Sequence, residues 1–290
     1  MTRSRLVVSA AALTLLGAVS PAMAAPTSSC DRACLEEAMS DFLAAASAGH
    51  VSSISLAEHA EVRENSNVIA LADTAWKEVK SIKSKMTFAD SVSGNVVSRV
   101  GVELADGKPG YISTRLKIAP GGAIIDVELS SDTSDRVVAD YVWKLDPQLE
   151  AVLPPEQRMT RMNLEALALR YFNSLSTHIA VKADFEERCN RYHSGQQITN
   201  VARNTVESGP ARTCAGSLEG DPPWGPATQQ RFPVIDEERG IVVGITLLQT
   251  TRPNQSKMYV SEVFKVVDGR IVTIDNIGLV QQITTLGFTH

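Results

Sequence analysis

The sequence lacks the motifs that mark several large enzyme classes. It contains no G-x-S-x-G, no G-x-G-x-x-G, no phosphate-binding P-loop and no H-E-x-x-H. These absences disfavour a serine hydrolase with a nucleophile elbow, a dinucleotide-binding enzyme and a zinc protease of the zincin type. Aromatic residues make up only 5%, whereas the hydrophobic share of 43% is ordinary for a globular protein. We therefore expect a globular chain that works without a cofactor.

Long apolar runs are missing beyond the N-terminal region. Arg3 and Arg5 precede an apolar run at residues 6–19, and the small-residue triplet Ala-Met-Ala follows at 22–24. This pattern is typical of a secretory signal peptide that is cleaved after residue 24, so residues 1–24 are set apart from the fold. The run is too short for a membrane span, and no other stretch approaches 18 apolar residues. We predict an exported protein, periplasmic or extracellular.

Positive charge is also in short supply. The formal net charge is -5, and removal of Arg3 and Arg5 with the signal peptide would bring it to -5 - 2 = -7. An acidic chain without a basic stripe is a poor partner for nucleic acid or for an anionic membrane surface. We expect neither partner.

The sequence has only four cysteines: Cys30, Cys34, Cys189 and Cys214. In an exported chain they are most simply interpreted as two disulfides, for which three pairings are possible. We favour Cys30 with Cys34 and Cys189 with Cys214, because each pair lies within one local segment. A metal site is the alternative, but the spacings C-x3-C and C-x24-C have no companion histidine pattern. We predict no metal.

An internal repeat indicates the domain organisation. Residues 111–127 (YISTRLKIAPGGAIIDV) align with 259–275 (YVSEVFKVVDGRIVTID) at a constant offset of 259 - 111 = 148, and both segments have the pattern of a β-hairpin. A helix with one apolar face and then a charged strand precede each hairpin. The apolar face comprises Leu35, Met39, Phe42, Leu43 and Ala46 in the first helix and Leu164, Leu167, Ala168, Tyr171, Phe172 and Leu175 in the second. We predict two α+β halves, 31–131 and 160–290, joined by a connecting segment at 132–159. If the halves pack as an internal pseudo-dimer, the chain is monomeric.

Several stretches carry a family resemblance. The segments CDRACLEEAMSDFLAAASAGH, VLPPEQRMTR, FEERCNRYHSG and RFPVIDEERGIVVGI resemble an uncharacterised group of secreted fungal and bacterial proteins built from tandem SnoaL-like domains, which are similar to ketosteroid isomerase and nuclear transport factor 2. The resemblance spans nearly the whole mature chain. It implies two cone-shaped α+β domains, each with a curved antiparallel sheet packed on helices around an apolar pocket.

The resemblance also implies a catalytic base in the first half. In ketosteroid isomerase-like domains, an early strand carries a carboxylate that projects into the cone, and Glu64 lies nearest to that place. Burial in an apolar pocket raises the pKa of a carboxyl group towards the range useful for proton transfer. Strand alternation directs Arg63 to the opposite face, and Arg63 and Asn65 are candidate ligand-binding neighbours. The alternative is a glutamate at a strand end in water.

The corresponding strand of the second half contains Arg191, Tyr192 and His193. A histidine with a pKa near 6.5 exchanges protons at neutral pH, and a tyrosine can donate a hydrogen bond to an oxyanion. We take His193 and Tyr192 as catalytic candidates and Arg191 as a ligand-binding candidate. The following Ser-Gly pair also fits a solvated turn.

Two further residues are candidates for binding. Glu262 alternates with Val260 and Phe264, so it shares their apolar face. Because a buried unpaired carboxylate is costly, Glu262 should pair with an arginine such as Arg191, stay protonated, or face a wet cavity. Trp224 follows a Gly- and Pro-rich loop and is interpreted either as a cover for a pocket or as part of a decorated surface loop.

Two functional classes remain open after these observations. In the first, the protein is a cofactor-free enzyme that isomerises, eliminates or cyclises a small, largely apolar organic molecule by proton transfer. In the second, it is a non-catalytic binding or accessory protein of the periplasm. Proton-transfer enzymes of the resembling superfamily need only one base and one hydrogen-bond donor, so the missing motifs do not separate the two classes.

Overall fold

The computed structural model of the chain describes residues 30–201, 212–219, 224–250, 256–282 and 285–288. The predicted signal peptide lies outside these residues. The first half contains α1 (Arg32–Ser47), β1 (Leu56–Glu64), β2 (Asn67–Val68), β3 (Val79–Asp90), β4 (Asn95–Leu104), β5 (Pro109–Ile118) and β6 (Ile124–Asp132). The remainder contains α2 (Ala139–Val142), α3 (Arg161–Thr177), β7 (Phe185–His193), β8 (Gln196–Gln197), β9 (Trp224–Asp236), β10 (Ile241–Thr250), β11 (Lys257–Val267) and β12 (Arg270–Gln281).

The strands form two six-stranded sheets. Their orders are β2-β1-β6-β5-β4-β3 and β8-β7-β12-β11-β10-β9. The pairs β1–β6 and β7–β12 are parallel, and every other pair is antiparallel, so both sheets are mixed. In each sheet the first long strand of the sequence therefore lies beside the last one.

The predicted fold class is therefore wrong. Two SnoaL-like cones, each with an antiparallel sheet packed on helices, were expected, whereas the described chain is mostly β, with two mixed sheets and few helices. Within the described residues each half has a single long helix. β-branched residues favour strand in much of the rest, including Val96, Val97, Val100 and Val102 in β4.

Each long helix packs on one face of its own sheet. The Asp31 side chain caps α1 by accepting from the Cys34 backbone N–H at 3.0 Å, and the Thr160 side chain caps α3 in the same way from Asn163 at 3.4 Å. The α1 residues buried against the first sheet are Leu35, Met39, Phe42, Leu43 and Ala46. The apolar α3 residues buried against the second sheet are Leu164, Leu167, Ala168, Tyr171, Phe172 and Leu175.

The other faces of the two sheets pack against each other. This shared core contains Met86, Phe88, Val97 and Tyr111 from the first sheet and Val234, Ile241, Val243 and Val263 from the second. Two tyrosines at matching positions of the repeat cross the interface to a carboxylate. The Tyr111 hydroxyl donates to Asp275 Oδ2 at 2.7 Å, and the Tyr259 hydroxyl donates to Glu128 Oε1 at 3.5 Å. The interface is thus approximately reciprocal.

The segment that follows the last strand of each sheet covers the other sheet. After β6, Tyr141 stacks on Tyr192 of the second sheet with ring centroids 4.0 Å apart, and its hydroxyl donates to Asp275 Oδ2 at 2.6 Å. After β12, the Phe288 ring lies 4.7 Å from the guanidinium carbon of Arg115 in the first sheet. The two aromatic residues are 288 - 141 = 147 positions apart, so the crossing is a further part of the repeat.

The prediction of two disulfides is confirmed. Cys30 is bonded to Cys34, and Cys189 is bonded to Cys214, which closes a sequence separation of 25 residues. Two disulfides and no free cysteine indicate an oxidising compartment. Separately, no helix within the described ranges is both long and apolar enough to cross a membrane.

Candidate functional site: a polar cluster in the second half

The strand registers place equivalent residues of the two halves in matching lateral rows. Residues that face each other across paired strands share one face of the sheet. The first-half row, from β5 across β6 to β1, is Thr114, Leu129 and Glu64, and the second-half row, from β11 across β12 to β7, is Glu262, Asn276 and His193. Both rows lie on the face that the long helix covers. The middle of the row is thus leucine in one half and asparagine in the other.

Two more positions show the same difference. Arg191 in β7 corresponds to Val62 in β1, because the two residues hold equivalent places in the parallel pairs β7–β12 and β1–β6. Tyr171 lies on the buried face of α3 where α1 has Phe42. We refer to the second-half residues together as the polar cluster: Tyr171, Arg191, His193, Glu262 and Asn276. The first half packs its interior with leucine, valine and phenylalanine at three of these positions, so the architecture itself does not require polar residues there.

Glu262 is at the centre of the polar cluster and is fully buried. Its Oε1 accepts hydrogen bonds from the Tyr171 hydroxyl at 2.8 Å and from Asn276 Nδ2 at 3.0 Å, and Arg191 Nη2 lies 3.6 Å away. Arg191 is the partner that strand alternation suggested. Burial raises the pKa of Glu262, although the charge of Arg191 and the two hydrogen bonds oppose that shift. Because three donors converge on Oε1, a proton on this carboxyl belongs on Oε2.

Three buried polar atoms of the cluster have no hydrogen-bond partner among the described residues. They are Glu262 Oε2, Asn276 Oδ1 and Arg191 Nε. An unpaired buried polar atom costs about 1–3 kcal/mol, so a folded protein rarely leaves several together without a reason. Together they offer one fixed donor, one fixed acceptor and one carboxyl oxygen that can serve as either. This set matches a ligand with a small polar group.

His193 lies at the half-buried end of the cluster. Its Nε2 is 3.2 Å from the backbone oxygen of Gly278. A carbonyl oxygen can only accept, so we assign the ring hydrogen to Nε2, which leaves the lone pair on Nδ1. Burial is the largest influence on the ring and lowers the pKa of His193, so the ring is neutral at pH 7. A neutral imidazole of this kind is a proton acceptor.

Gly278 brings His193 and Asn276 close together. A methyl group built on Gly278 would lie 3.0 Å from Asn276 Oδ1 and 3.1 Å from His193 Nε2. Both side chains therefore lie over the same glycine, and a side chain at this position would push on both. The two side chains therefore converge on one point of the sheet.

The second disulfide helps to orient Arg191. Cys189 is two residues before Arg191 in β7, and its partner Cys214 begins the turn that contains Ser217. The Ser217 hydroxyl accepts from Arg191 Nη1 at 3.2 Å and donates to the Cys214 backbone oxygen at 2.7 Å. The Arg191 guanidinium carbon also lies 5.8 Å from the centre of the Tyr171 ring. The guanidinium is thus fixed from two sides.

The first-half candidates lie elsewhere. Glu64 is half-buried at the end of β1, where its carboxylate accepts from the Ser131 hydroxyl and, at 3.2 Å, from the Ala75 backbone N–H. Burial is the largest influence and raises the pKa of Glu64. Asn65 adopts a left-handed conformation with φ 49° and donates from Nδ2 to the Ser131 backbone oxygen at 3.2 Å. Arg63 points to the opposite face of the sheet, as alternation predicted.

Two second-half candidates are also outside the polar cluster. Tyr192 faces the first sheet and stacks on Tyr141. Trp224 begins β9 and is half-buried against the apolar core between α3 and the second sheet. Its backbone oxygen lies 3.0 Å from His178 Nε2. The structure therefore brings together Arg191, His193 and Glu262 from the candidates, and it does not bring Tyr192 or Trp224 to them.

The sequence reasoning did not identify Tyr171 or Asn276. Tyr171 was assigned to the apolar face of a helix, where a tyrosine is ordinary. Asn276 continues the inward alternation from Ile274, so it is a polar residue at a buried position. Comparison of the two helices would have revealed Tyr171, because its counterpart is Phe42. The offset of 148 pairs Asn276 with Glu128, so the leucine counterpart of Asn276 is evident only from the strand registers.

Three cavities on the described surface lie away from the polar cluster. They have volumes of 280, 370 and 540 Å³. The largest of these is lined by Glu186, Asp268 and Arg270, among others, and resembles an ordinary charged surface groove. Within the described ranges, no three His, Cys, Asp or Glu side chains are grouped so that they could hold a metal ion.

Comparison with known proteins gives a partial match. Residues 157–278 match a family described as a domain of unknown function, DUF8021, and this range contains the whole polar cluster. None of the curated proteins compared with the chain is significantly similar to it. Among solved structures, the chain is similar to a de novo designed protein with a curved β-sheet, with 18% identity, a TM-score of 0.31, and coverage of 40% of this chain and 99% of the designed one. We base no argument on that likeness. The resemblance to SnoaL-like proteins stays a prediction.

Proposed function

We propose that the protein binds a small organic molecule at the polar cluster and transfers a proton on it without a cofactor. The observation that carries the proposal is the contrast between the halves. At three positions the first half has apolar residues where the second half keeps a guanidinium, an amide and a phenol around a buried acid. Maintaining these groups costs stability, so we attribute them to function.

The cluster has the groups that proton transfer needs. His193 Nδ1 is the acceptor, and Arg191 Nε–H, held beside ionised Glu262, is the donor. Donors fixed in a buried site stabilise charge that develops on a substrate oxygen, and a positioned base contributes roughly 10²- to 10⁴-fold to rate. The substrate class that fits is an uncharged molecule with a carbonyl or hydroxyl group, since Arg191 and Glu262 already balance each other's charge.

The compartment forms part of the proposal. The two disulfides require oxidising conditions, and the N-terminal sequence pattern predicts export. We propose that the protein acts in the periplasm or outside the cell. Its substrate is then a compound that is present in that space. The cytoplasmic supply of nucleotide cofactors does not extend there.

A second candidate is binding without turnover. It is favoured by the complete set of donors around Glu262 Oε1, because a carboxylate held by Tyr171 and Asn276 suits rigid recognition as well as catalysis. Under this alternative, His193 donates or accepts a hydrogen bond and no proton moves. Detection of a product separates the two candidates.

The test is a thermal-shift screen of uncharged ketones, lactones and alcohols, followed by a product assay for every hit. The comparison variant replaces cluster residues by their first-half counterparts: Tyr171→Phe, Arg191→Val and Asn276→Leu together. The matched control, Thr114→Val, removes a buried hydroxyl from the equivalent row of the first half. We expect hits to stabilise the wild type and the control but not the triple variant. Equal stabilisation of a folded triple variant would place the ligand elsewhere and refute the proposal.

Turnover is then tested at the base. His193→Gln should retain binding and lower turnover of any converted hit by at least 100-fold, whereas Glu64→Gln tests the first-half base suggested by the sequence. If Glu64→Gln abolishes turnover while His193→Gln retains it, the working site is in the first half.

A further inference from the structure

Three arginines surround the ring of Phe288, on the side of the second sheet opposite the polar cluster. The ring centre lies 4.7 Å from the guanidinium carbon of Arg115, 5.5 Å from that of Arg63 and 5.9 Å from that of Arg231. Arg63 and Arg115 belong to the first sheet and Arg231 to the second. We name these residues the arginine cluster. It lies between the sheets, where residues 285–288, the closing segment, cover it.

The arginine cluster has unused hydrogen-bonding capacity. Arg115 is 2% and Arg231 is 8% exposed. Arg115 Nε donates to Glu128 Oε2 at 2.8 Å, and Arg231 Nη2 donates to the other oxygen of the same carboxylate. Glu128 is thus shared by two guanidiniums, while Asp126 lies 3.7 Å from Arg115 Nη2. Arg115 Nη2 and Arg231 Nε and Nη1 have no hydrogen-bond partner among the described residues.

This arrangement is complementary to two chemical groups at once. Guanidinium faces bind an aromatic ring through cation–π attraction, and free in-plane N–H groups bind a carboxylate, often through two oxygens. Phe288 satisfies the first requirement and has no group for the second. We propose that the arginine cluster is a binding site for an aromatic carboxylate, whose ring takes the place of the Phe288 ring and whose carboxylate pairs with Arg115 and Arg231.

The closing segment is anchored two residues before Phe288. Leu286 is 1% exposed beside Tyr259, and its backbone N–H donates to Gln229 Oε1 at 2.8 Å. Gly287, which has φ 87°, follows this anchor, so the chain can turn beyond it. A methyl group on Gly287 would lie 2.2 Å from the guanidinium carbon of Arg63. Tyr141, the counterpart of Phe288, has a hydroxyl group that donates to Asp275.

The experiment measures binding of 3-phenylpropionate by isothermal titration calorimetry. Phe288→Ala vacates the place of the ring while keeping the arginines, so we expect it to bind the probe at least 10-fold more tightly than the wild type. In the Phe288→Ala background, Arg231→Gln should abolish binding. Arg270→Gln makes the same charge change at an exposed site, where the side chain is 56% exposed, and should leave binding unchanged. 3-Phenylpropanol, which has the ring without the carboxylate, should not bind.

Either of two results overturns the proposal: a folded Phe288→Ala that binds no 3-phenylpropionate, or binding that survives Arg231→Gln. If circular dichroism shows that Phe288→Ala does not fold, Gly287→Ala replaces it, because its methyl group drives the segment away from Arg63.

A measurement on the wild type is independent of both variants. Saturating 3-phenylpropionate should speed hydrogen exchange in the closing segment, and unchanged exchange at 10 mM, roughly tenfold above a weak millimolar Kd, would contradict displacement.

Discussion

The ion pair of Arg191 and Glu262 should show strong energetic coupling when both partners are replaced. Glu262→Gln leaves the buried Arg191 guanidinium without its carboxylate partner, and removing one partner of a buried pair costs about 3–5 kcal/mol. Arg191→Met should cost less, about 1–2 kcal/mol, because Glu262 has a raised pKa and can take up a proton instead.

The double variant removes both charges together. Replacing a whole buried ion pair by neutral groups of similar size is often neutral or stabilising, so we expect the double variant to lie within about 1 kcal/mol of the wild type. The single losses sum to about 4–7 kcal/mol, so the coupling energy should be at least about 3 kcal/mol. Urea unfolding with intact disulfides, followed by circular dichroism, measures the four free energies of unfolding.

A control pair shows what weak coupling looks like in the same chain. Arg270 and Glu186 approach to 3.5 Å, but their side chains are 56% and 46% exposed. An exposed pair of this kind couples by less than about 1 kcal/mol. Losses at Arg191 and Glu262 that add to within about 0.5 kcal/mol would refute the reasoning, because they would mean that the two charges do not interact.

Two further predictions concern His193 and the disulfides. The pKa of His193 is lowered in the fold, so below about pH 6.5 the unfolded state takes up a proton more readily than the folded one; the wild type should lose stability relative to His193→Gln between pH 7.5 and 5.0. A constant difference between their urea midpoints would contradict this. Replacing Cys189 and Cys214 by alanine should cost about 3–4 kcal/mol, against about 2 kcal/mol for Cys30 and Cys34, because the first pair closes a longer loop. Equal losses would argue against the chain-entropy account.

Local patterns predicted the local structure well. The apolar spacing identified the buried faces of α1 and α3, and the repeat identified two corresponding hairpins, because both signals arise from residues close in sequence. The mixed character of the sheets could not be predicted in this way. Parallel pairing joins β1 to β6 and β7 to β12 across most of each half, and no local residue pattern specifies so distant a partner.

The site was predictable where one strand sufficed. Alternation along β11 identified Glu262 as buried and in need of a partner, and Arg191 lies there. The contact of Asn276 with Glu262 depends on the register between β11 and β12, and the contact of Tyr171 with Glu262 depends on the packing of α3 on the sheet. Both are facts of tertiary structure. Tyr192 and His193 were both predicted as catalytic candidates. They are adjacent in one strand, and adjacent residues of a strand face opposite sides of the sheet, so only one of them can join the polar cluster.

The crossing of Phe288 onto the first sheet has a consequence for synthesis on the ribosome. Arg115 is made 288 - 115 = 173 residues before the ring that covers it. At translation speeds of about 5–20 residues per second, the first sheet emerges with its arginines unshielded for roughly 10–35 s. Tyr141, in contrast, is already made when the second sheet emerges. The half that is translated first is therefore the half that is finished last, and a chaperone that holds nascent chains should protect residues 56–132 until the closing segment arrives.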